Sequence, residues 1–220
     1  GAGVATDANA TRRGDGGTAV VWSDHATVYA GRVTARGGAE GGNGGLVEVS
    51  GKQTLAFDGE VDGRAPRGLA GSLLLDPDSI EIGLVADVNN DGTPGDDLAG
   101  PDILFDASTQ PSFITAARVQ QLLGTTNVTL QATSRIDVTA PLTVAPGGAA
   151  STLTLNSERV VITAPVTLNN ASLNVDTGAI VGIQYVDISA PVSSLASISL
   201  TTPELFLDGK KVGSRSFRVE

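Results

Sequence analysis

"RVVITAPVTL", from Arg159 to Leu168, is written nearly three times in this chain. Upstream, "RIDVTAPLTV" begins at Arg135; downstream, "YVDISAPVSS" begins at Tyr185. The Ala-Pro pairs are Ala140-Pro141, Ala164-Pro165 and Ala190-Pro191, so the steps are 164 − 140 = 24 and 190 − 164 = 26 residues. Each copy alternates branched apolar residues with polar ones, the pattern of a half-buried strand. A short repeat of this length, holding two or three strands and mostly without helices, is the signature of a coiled solenoid. Each turn then gives one strand to each of two or three sheets, and turns stack about 4.8 Å apart. The proline ends a strand at the same corner of every turn, where no ladder donor is needed. The spacing predicts an all-β fold, a parallel β-helix, with Val138, Ile162 and Ile188 stacked in one inward row. A β-sandwich also has many short strands. It lacks a corner motif at this spacing and carries more core aromatics.

The rest of the chain fits one such domain over residues 1–220. Strand runs include "TAVVWS", "TVYAGRVTA", "GLVEVSG", "TLAFDGEVD" and "GSLLLDP" in the first half, and "NVTLQAT", "STLTLNS", "ASLNVDT", "ASISLTT" and "ELFLDG" in the second. Asp-Gly pairs, which favour tight hairpins, occur in the first half and near the end. One helix is expected at about 112–123, "SFITAARVQQLL", with Ser112 as its cap and Gly124 as its stop. Hydrophobic residues are 40% of the chain but aromatics only 4%, so the core is expected to be thin layers of small branched residues. The glycines of "GGAEGGNGG" suit sharp corners where a positive φ is needed. They lack the strand–loop–helix setting of a phosphate cradle.

Composition also excludes functions. There is no cysteine, hence no disulfide, thiol chemistry or cysteine-bound metal. A net charge of −10 disfavours nucleic acid and anionic membrane surfaces, which are held through Lys and Arg. No apolar run approaches membrane-spanning length, and no signal-peptide pattern opens the chain, so a processed or excised start is expected. Acid gathers between Gly71 and Gln110, a stretch without Lys or Arg, whereas the last residues carry Lys210, Lys211, Arg215 and Arg218.

The first half supports a resemblance. "GDGGTAVVWSDHATVYAGRVTARGGAEGGNGGLVEVSGKQTLAFDGEVD", followed by "GLAGSLLLDPDSIEIG", resembles the filamentous haemagglutinin-like exoproteins of two-partner secretion. The positions that carry it are Gly14 to Gly17, Val21 to Asp24, Gly31, Ala35 to Gly38, Gly42 to Gly45, Val47 to Lys52, Gly59 and Leu73 to Pro77. It covers about the first 85 residues densely and continues loosely through "TNVTLQAT" and "RIDVTA". The resemblance implies a right-handed parallel β-helix, secretion through an outer-membrane transporter partner of a Gram-negative bacterium, and a role in adhesion, biofilm matrix or surface fibres. The family's secretion domain carries an Asn-Pro motif, which this chain lacks. The segment therefore reads as shaft.

The sharpest local motif is "DVNNDGTPGDD", inside a loop insertion at about 84–102. Asp87, Asn89 and Asp91 stand at positions one, three and five of a calcium-loop pattern, and Gly92 permits the turn. The Thr93 carbonyl supplies a further oxygen. Leu98 replaces the usual closing Glu, so Asp96, Asp97 or Asp102 must complete the shell. Read without an ion, the same residues make a turn-rich acidic loop. Catalytic groups are scarce. His25 is the single histidine, in a loop after "VWSD", and reads as a satisfied surface residue. Asp76 and Asp78 flank Pro77, which suits a corner better than an acid–base pair. Trp22 reads as a corner plug or core filler.

The expected function is structural, a segment or subunit of an extracellular bacterial fibre or adhesin. The alternatives are a module binding calcium, a host surface or a matrix glycan, and a polysaccharide-active enzyme marked by carboxylates on one sheet face. Neither terminus reads as a polar cap. Head-to-tail self-association is therefore expected through Phe206, Lys210, Lys211, Arg215, Phe217 and Arg218.

Overall fold

The computed structural model describes residues 4–84, 112–146, 150–178, 184–213 and 217–219. Short strands form two long sheets and two short ones, with parallel pairing almost throughout. The first long sheet runs through Thr18–Ser23, Leu46–Gly51, Ser72–Leu75, Asn127–Ala132, Ser151–Ser157, Ala171–Asp176 and Ile198–Thr201. The second runs through Ala26–Tyr29, Thr54–Phe57, Ser112–Thr115, Ser79–Gly83, Arg135–Val138, Arg159–Ile162, Tyr185–Ile188 and Leu205–Leu207. A third face carries Ala5–Asp7, Arg32–Thr34 and Glu60–Asp62, then, separately, Leu142–Val144, Val166–Leu168 and Val192–Ser194. Successive passes of the chain visit these faces in the same order, and most strands pair with their counterpart one pass away.

The pairing is residue for residue. Val138 partners Ile162, and Ile162 partners Ile188, as the shared offset from the Ala-Pro pairs predicts. In the first sheet Val47, Leu73, Val128, Leu153, Leu173 and Ile198 form another such row. Ser151–Ser157 alternates fully buried and half-buried residues along its length, as period two demands. Stacking like on like buries each branched side chain against its copies. Each fully buried Val, Leu or Ile contributes about 1.5–3 kcal/mol.

The proline corner has a backbone explanation. The N–H groups of Thr163 and Ala164 both donate to the Val138 carbonyl, at 3.0 and 3.2 Å. Those of Thr139 and Ala140 donate likewise to the Ile82 carbonyl. The next position is proline, which has no N–H to place and so ends the run of donors at this corner. Its carbonyl still works, since Leu142 donates to Pro165 and Val166 to Pro191, each at 2.9 Å.

The "GGAEGGNGG" glycines meet the expectation of positive φ only in part. Only Gly41 and Gly42 in that stretch have positive φ. A Cβ on Gly45 would fall on the Gly17 carbonyl oxygen, and one on Gly44 on the Gly63 carbonyl. Close approach of successive backbones at this corner, rather than a left-handed φ, excludes a side chain there.

The helix starts later than the sequence suggests. Ser112–Thr115 is a strand wedged between Thr54–Phe57 and Ser79–Gly83, parallel to both. Ser112 is no cap: it is fully buried, and its hydroxyl accepts the Leu55 N–H at 2.9 Å. Alternation of Ser112 and Ile114 inward with Phe113 and Thr115 outward favours the strand. Thr115 caps instead, accepting the Arg118 N–H at 3.0 Å, and the helix spans Ala116–Leu123. Gly124 ends it in an ordinary right-handed conformation. Val119, Leu122 and Leu123 are buried, and the helix touches Glu60–Asp62 and Leu142–Val144, filling the interval between the two halves of the third face.

The C-terminal end is capped, contrary to expectation. Asp208 and Gly209, at φ of 51° and 70°, make a tight turn. Lys210–Gly213 returns antiparallel on Leu205–Leu207, and Phe217–Val219 lies antiparallel on Ile198–Thr201. Two reversed strands thus terminate the parallel ladders of both long sheets. The Asp58-Gly59 pair makes no hairpin; it marks a corner between Thr54–Phe57 and Glu60–Asp62, where a Cβ on Gly59 would strike the Tyr29 ring. Among the described residues no helix is long and apolar enough to cross a membrane.

Candidate functional site

The calcium-loop residues Asp87, Asn89, Asp91, Thr93, Asp96 and Asp97 lie outside the described residues, as does Arg215. Among the described residues no three His, Asp or Glu side chains are grouped to hold a metal ion. The expected interface residues sit at the cap. Lys211 pairs with Glu204 of its own chain, and Phe206 packs edge-on against Tyr185, ring centres 5.7 Å apart. Lys210 is exposed on the reversed strand. A lysine on a terminal strand opposes edge-to-edge pairing, because another strand would have to bury its charge. Phe217 and Arg218 lie on the second reversed strand.

Three other residues can be placed. His25 is exposed between Thr18–Ser23 and Ala26–Tyr29. Asp76 and Asp78 flank a buried Pro77 at the turn between Ser72–Leu75 and Ser79–Gly83, as the corner reading has it. Burial and the neighbouring Glu48 charge push the Asp76 carboxyl up, against a hydrogen bond from Gln131. Trp22 is neither plug nor filler. It is 55% exposed and shares the outward side of its sheet with Val20 and Leu46. Strict alternation from the half-buried Val21 settles this, since a one-residue step changes face.

The outward side of the nine-stranded sheet carries one row that the sequence does not announce. Glu81 partners Asp137, and Asp187 stands two strands beyond with Val161 between. Neighbouring strands lie about 4.8 Å apart, which puts Glu81 and Asp137 side by side and Asp187 about 10 Å from Asp137. Burial pushes the Asp137 carboxyl up; Arg135 opposes this and Glu81 adds to it. Arg135 binds Asp137 Oδ1 at 2.7 Å. That carboxylate is tied to its own strand, a poor arrangement for delivering a proton to a ligand. Asp187 Oδ1 is buried without a hydrogen-bond partner among the described residues.

The most organised polar cluster lies on the third face. Asp62, 5% exposed, accepts hydrogen bonds from Arg36, one turn away, and from Arg64 on its own turn. Burial alone pushes the Asp62 carboxyl up. Hydrogen bonds from Arg64 and Arg36, with the Arg64 charge, outweigh it and hold the group well below the usual carboxylate range. Arg64 is in turn pushed up by Asp62. Arg118 on the helix binds Asp58 at 2.6 Å and Gln121 at 2.8 Å, and Arg32 faces Glu60. Beside Arg36 and Arg64 an open groove of about 800 Å³ follows the corner toward the first sheet. Sequence reading missed this cluster. Its signal was a turn length of 28 residues in the first half, the spacing of Arg12 from Glu40 and of Asp15 from Asn43, which are paired by hydrogen bonds. The same interval brings Arg36 beside Arg64.

In comparison with known proteins, no family model and no curated protein matches the chain.

Proposed function

We propose that this chain is a shaft segment of a secreted bacterial fibre or adhesin, built as a right-handed parallel β-helix of the filamentous haemagglutinin kind. The observation that carries the reading is the residue-for-residue parallel register that both long sheets hold between Asn127 and Ile188. Such a stack has little slack. Neighbouring turns are hydrogen-bonded to one another along the ladders, so bending must stretch many ladder bonds at once. The outward polar rows, such as Thr129, Thr154, Asn174 and Ser199, and the net charge of −10 keep neighbouring shafts apart in solution. The reading places the protein outside a Gram-negative cell, carried there by an outer-membrane transporter, with no catalytic step of its own. The reversed strands cover the ladder edges of Ile198–Thr201 and Leu205–Leu207 and oppose strand addition there.

Immunogold electron microscopy of the producing bacterium tests this. Antibody against the chain is expected to decorate thin fibres or stalks at the cell surface. Label confined to the cell interior overturns it. An experimental structure showing left-handed coiling would remove the family assignment.

A further inference from the structure

We propose that the groove beside Arg36 and Arg64 binds an aliphatic peptide segment carrying a single carboxylate. The inference does not depend on the shaft reading. The Gly37 N–H donates to the Arg64 carbonyl at 3.1 Å, so the two arginines stand one turn apart, about 4.8 Å. Each gives Nε and Nη2 to Asp62 and keeps Nη1 without a hydrogen bond among the described residues. Guanidinium carries five N–H donors, so each retains donors for a second acceptor. The buried Asp62 fixes both heads before any ligand arrives, which spares the entropy of ordering them on binding. Two guanidiniums over one carboxylate leave one positive charge facing the groove. One incoming carboxylate neutralises it, with the bidentate geometry that arginine favours.

The walls indicate what carries that carboxylate. Ala10, Ala39, Ala65, Pro66 and Leu69 line the groove, and Leu69 is 77% exposed. Asn9 is already spent: its amide donates to Thr34 and its oxygen accepts the Arg36 N–H. Beyond Thr11 and the arginines, the lining side chains offer a ligand little to hydrogen-bond. A sugar chain, dense in hydroxyls and commonly stacked on aromatic rings, is poorly served. Short aliphatic side chains flanking one acidic residue fit. Charge agrees: Arg36 and Arg64 share the single carboxylate of Asp62, Arg12 and Arg13 share that of Glu40, and Arg67 adjoins the lining residue Pro66, so cations outnumber their paired anions at this corner of a chain whose net charge is −10. An acidic segment repelled elsewhere is drawn here.

Calorimetric titration of the intact chain with two synthetic peptides tests the proposal. Both are alanine–leucine sequences blocked at each end; one carries a central glutamate, the other glutamine. The glutamate peptide is expected to bind, at least tenfold more tightly than its partner, and to weaken as salt rises. Ala39→Trp, at an exposed position away from Asp62, is expected to fill the groove and abolish binding. Arg36→Gln is expected to cost tenfold or more, with a thermal melt reporting whether each variant folds. If Arg36→Gln does not fold, Ala39→Trp and the glutamate–glutamine comparison still decide. Equal binding of the two peptides, no binding up to millimolar concentration, or full binding by Ala39→Trp overturns the proposal. So does polygalacturonate binding at the groove where the peptide does not, which would make it a glycan site.

Discussion

Shortening Ile162 to alanine should destabilise the protein severely, whereas shortening its neighbour Val161 should do so mildly. Ile162 is 0% exposed and lies between Val138 and Ile188 in the inward row. The change deletes three carbons at about 0.8 kcal/mol each, or about 2.4 kcal/mol of transfer free energy. The fixed strand spacing prevents the neighbouring turns from closing the gap, so a cavity cost brings the total to about 3–4 kcal/mol. Val161 points outward between Asp137 and Asp187 and is only partly buried. Its two lost methyls should cost about 1 kcal/mol. For a chain of this size each kcal/mol moves the melting temperature by about 2–4 °C. Circular dichroism melts should therefore fall by about 6–16 °C for Ile162→Ala and about 2–4 °C for Val161→Ala. Equal losses, or a larger loss for Val161→Ala, would refute the register, because a slip of one residue exchanges the two faces.

Further outcomes test other parts of the fold. Gly45→Ala should cost more than about 2 kcal/mol, because its Cβ meets backbone; Gly209→Ala, with a positive φ but open space, should cost only about 1 kcal/mol in the same melts. Asp62→Asn should lower stability by about 2 kcal/mol at neutral pH, less than a fully buried pair because both guanidiniums reach solvent. The Asp62 carboxyl titrates lower when folded than unfolded, so its contribution is complete above the unfolded value of about 3.9. The gap between wild type and variant should hold at neutral pH and shrink as pH falls below about 4; a gap unchanged in acid argues against the ion cluster. Removing residues 208–220 uncovers the edges of Leu205–Leu207 and Ile198–Thr201, and light scattering should then show concentration-dependent association that the intact chain lacks. The Asp87 motif predicts calcium uptake at millimolar concentration, lost in Asp91→Ala with the melt unchanged; calorimetry showing no heat removes that site.

The sequence by itself determined the local rules. Alternation in "RVVITAP" and its copies specified strands and their inward residues, and the recurring Ala-Pro pairs marked one corner of each turn. The inward row of Val138, Ile162 and Ile188 followed from spacing alone, because a parallel ladder preserves register from copy to copy. Asp208-Gly209 announced its turn for the same local reason. What only the tertiary structure decided depends on which strands become neighbours after an excursion. Ser112–Thr115 pairs with Thr54–Phe57 and Ser79–Gly83, the former more than fifty residues earlier, and nothing in "SFIT" names those partners. The reversed strands of the cap likewise depend on two edges left open by earlier turns. The Arg36–Asp62–Arg64 cluster needs two turns set side by side at the longer first-half spacing. Side chains far apart in sequence meet there only because backbone ladders hold the turns in place, and a sequence read locally contains the members of the cluster without their proximity.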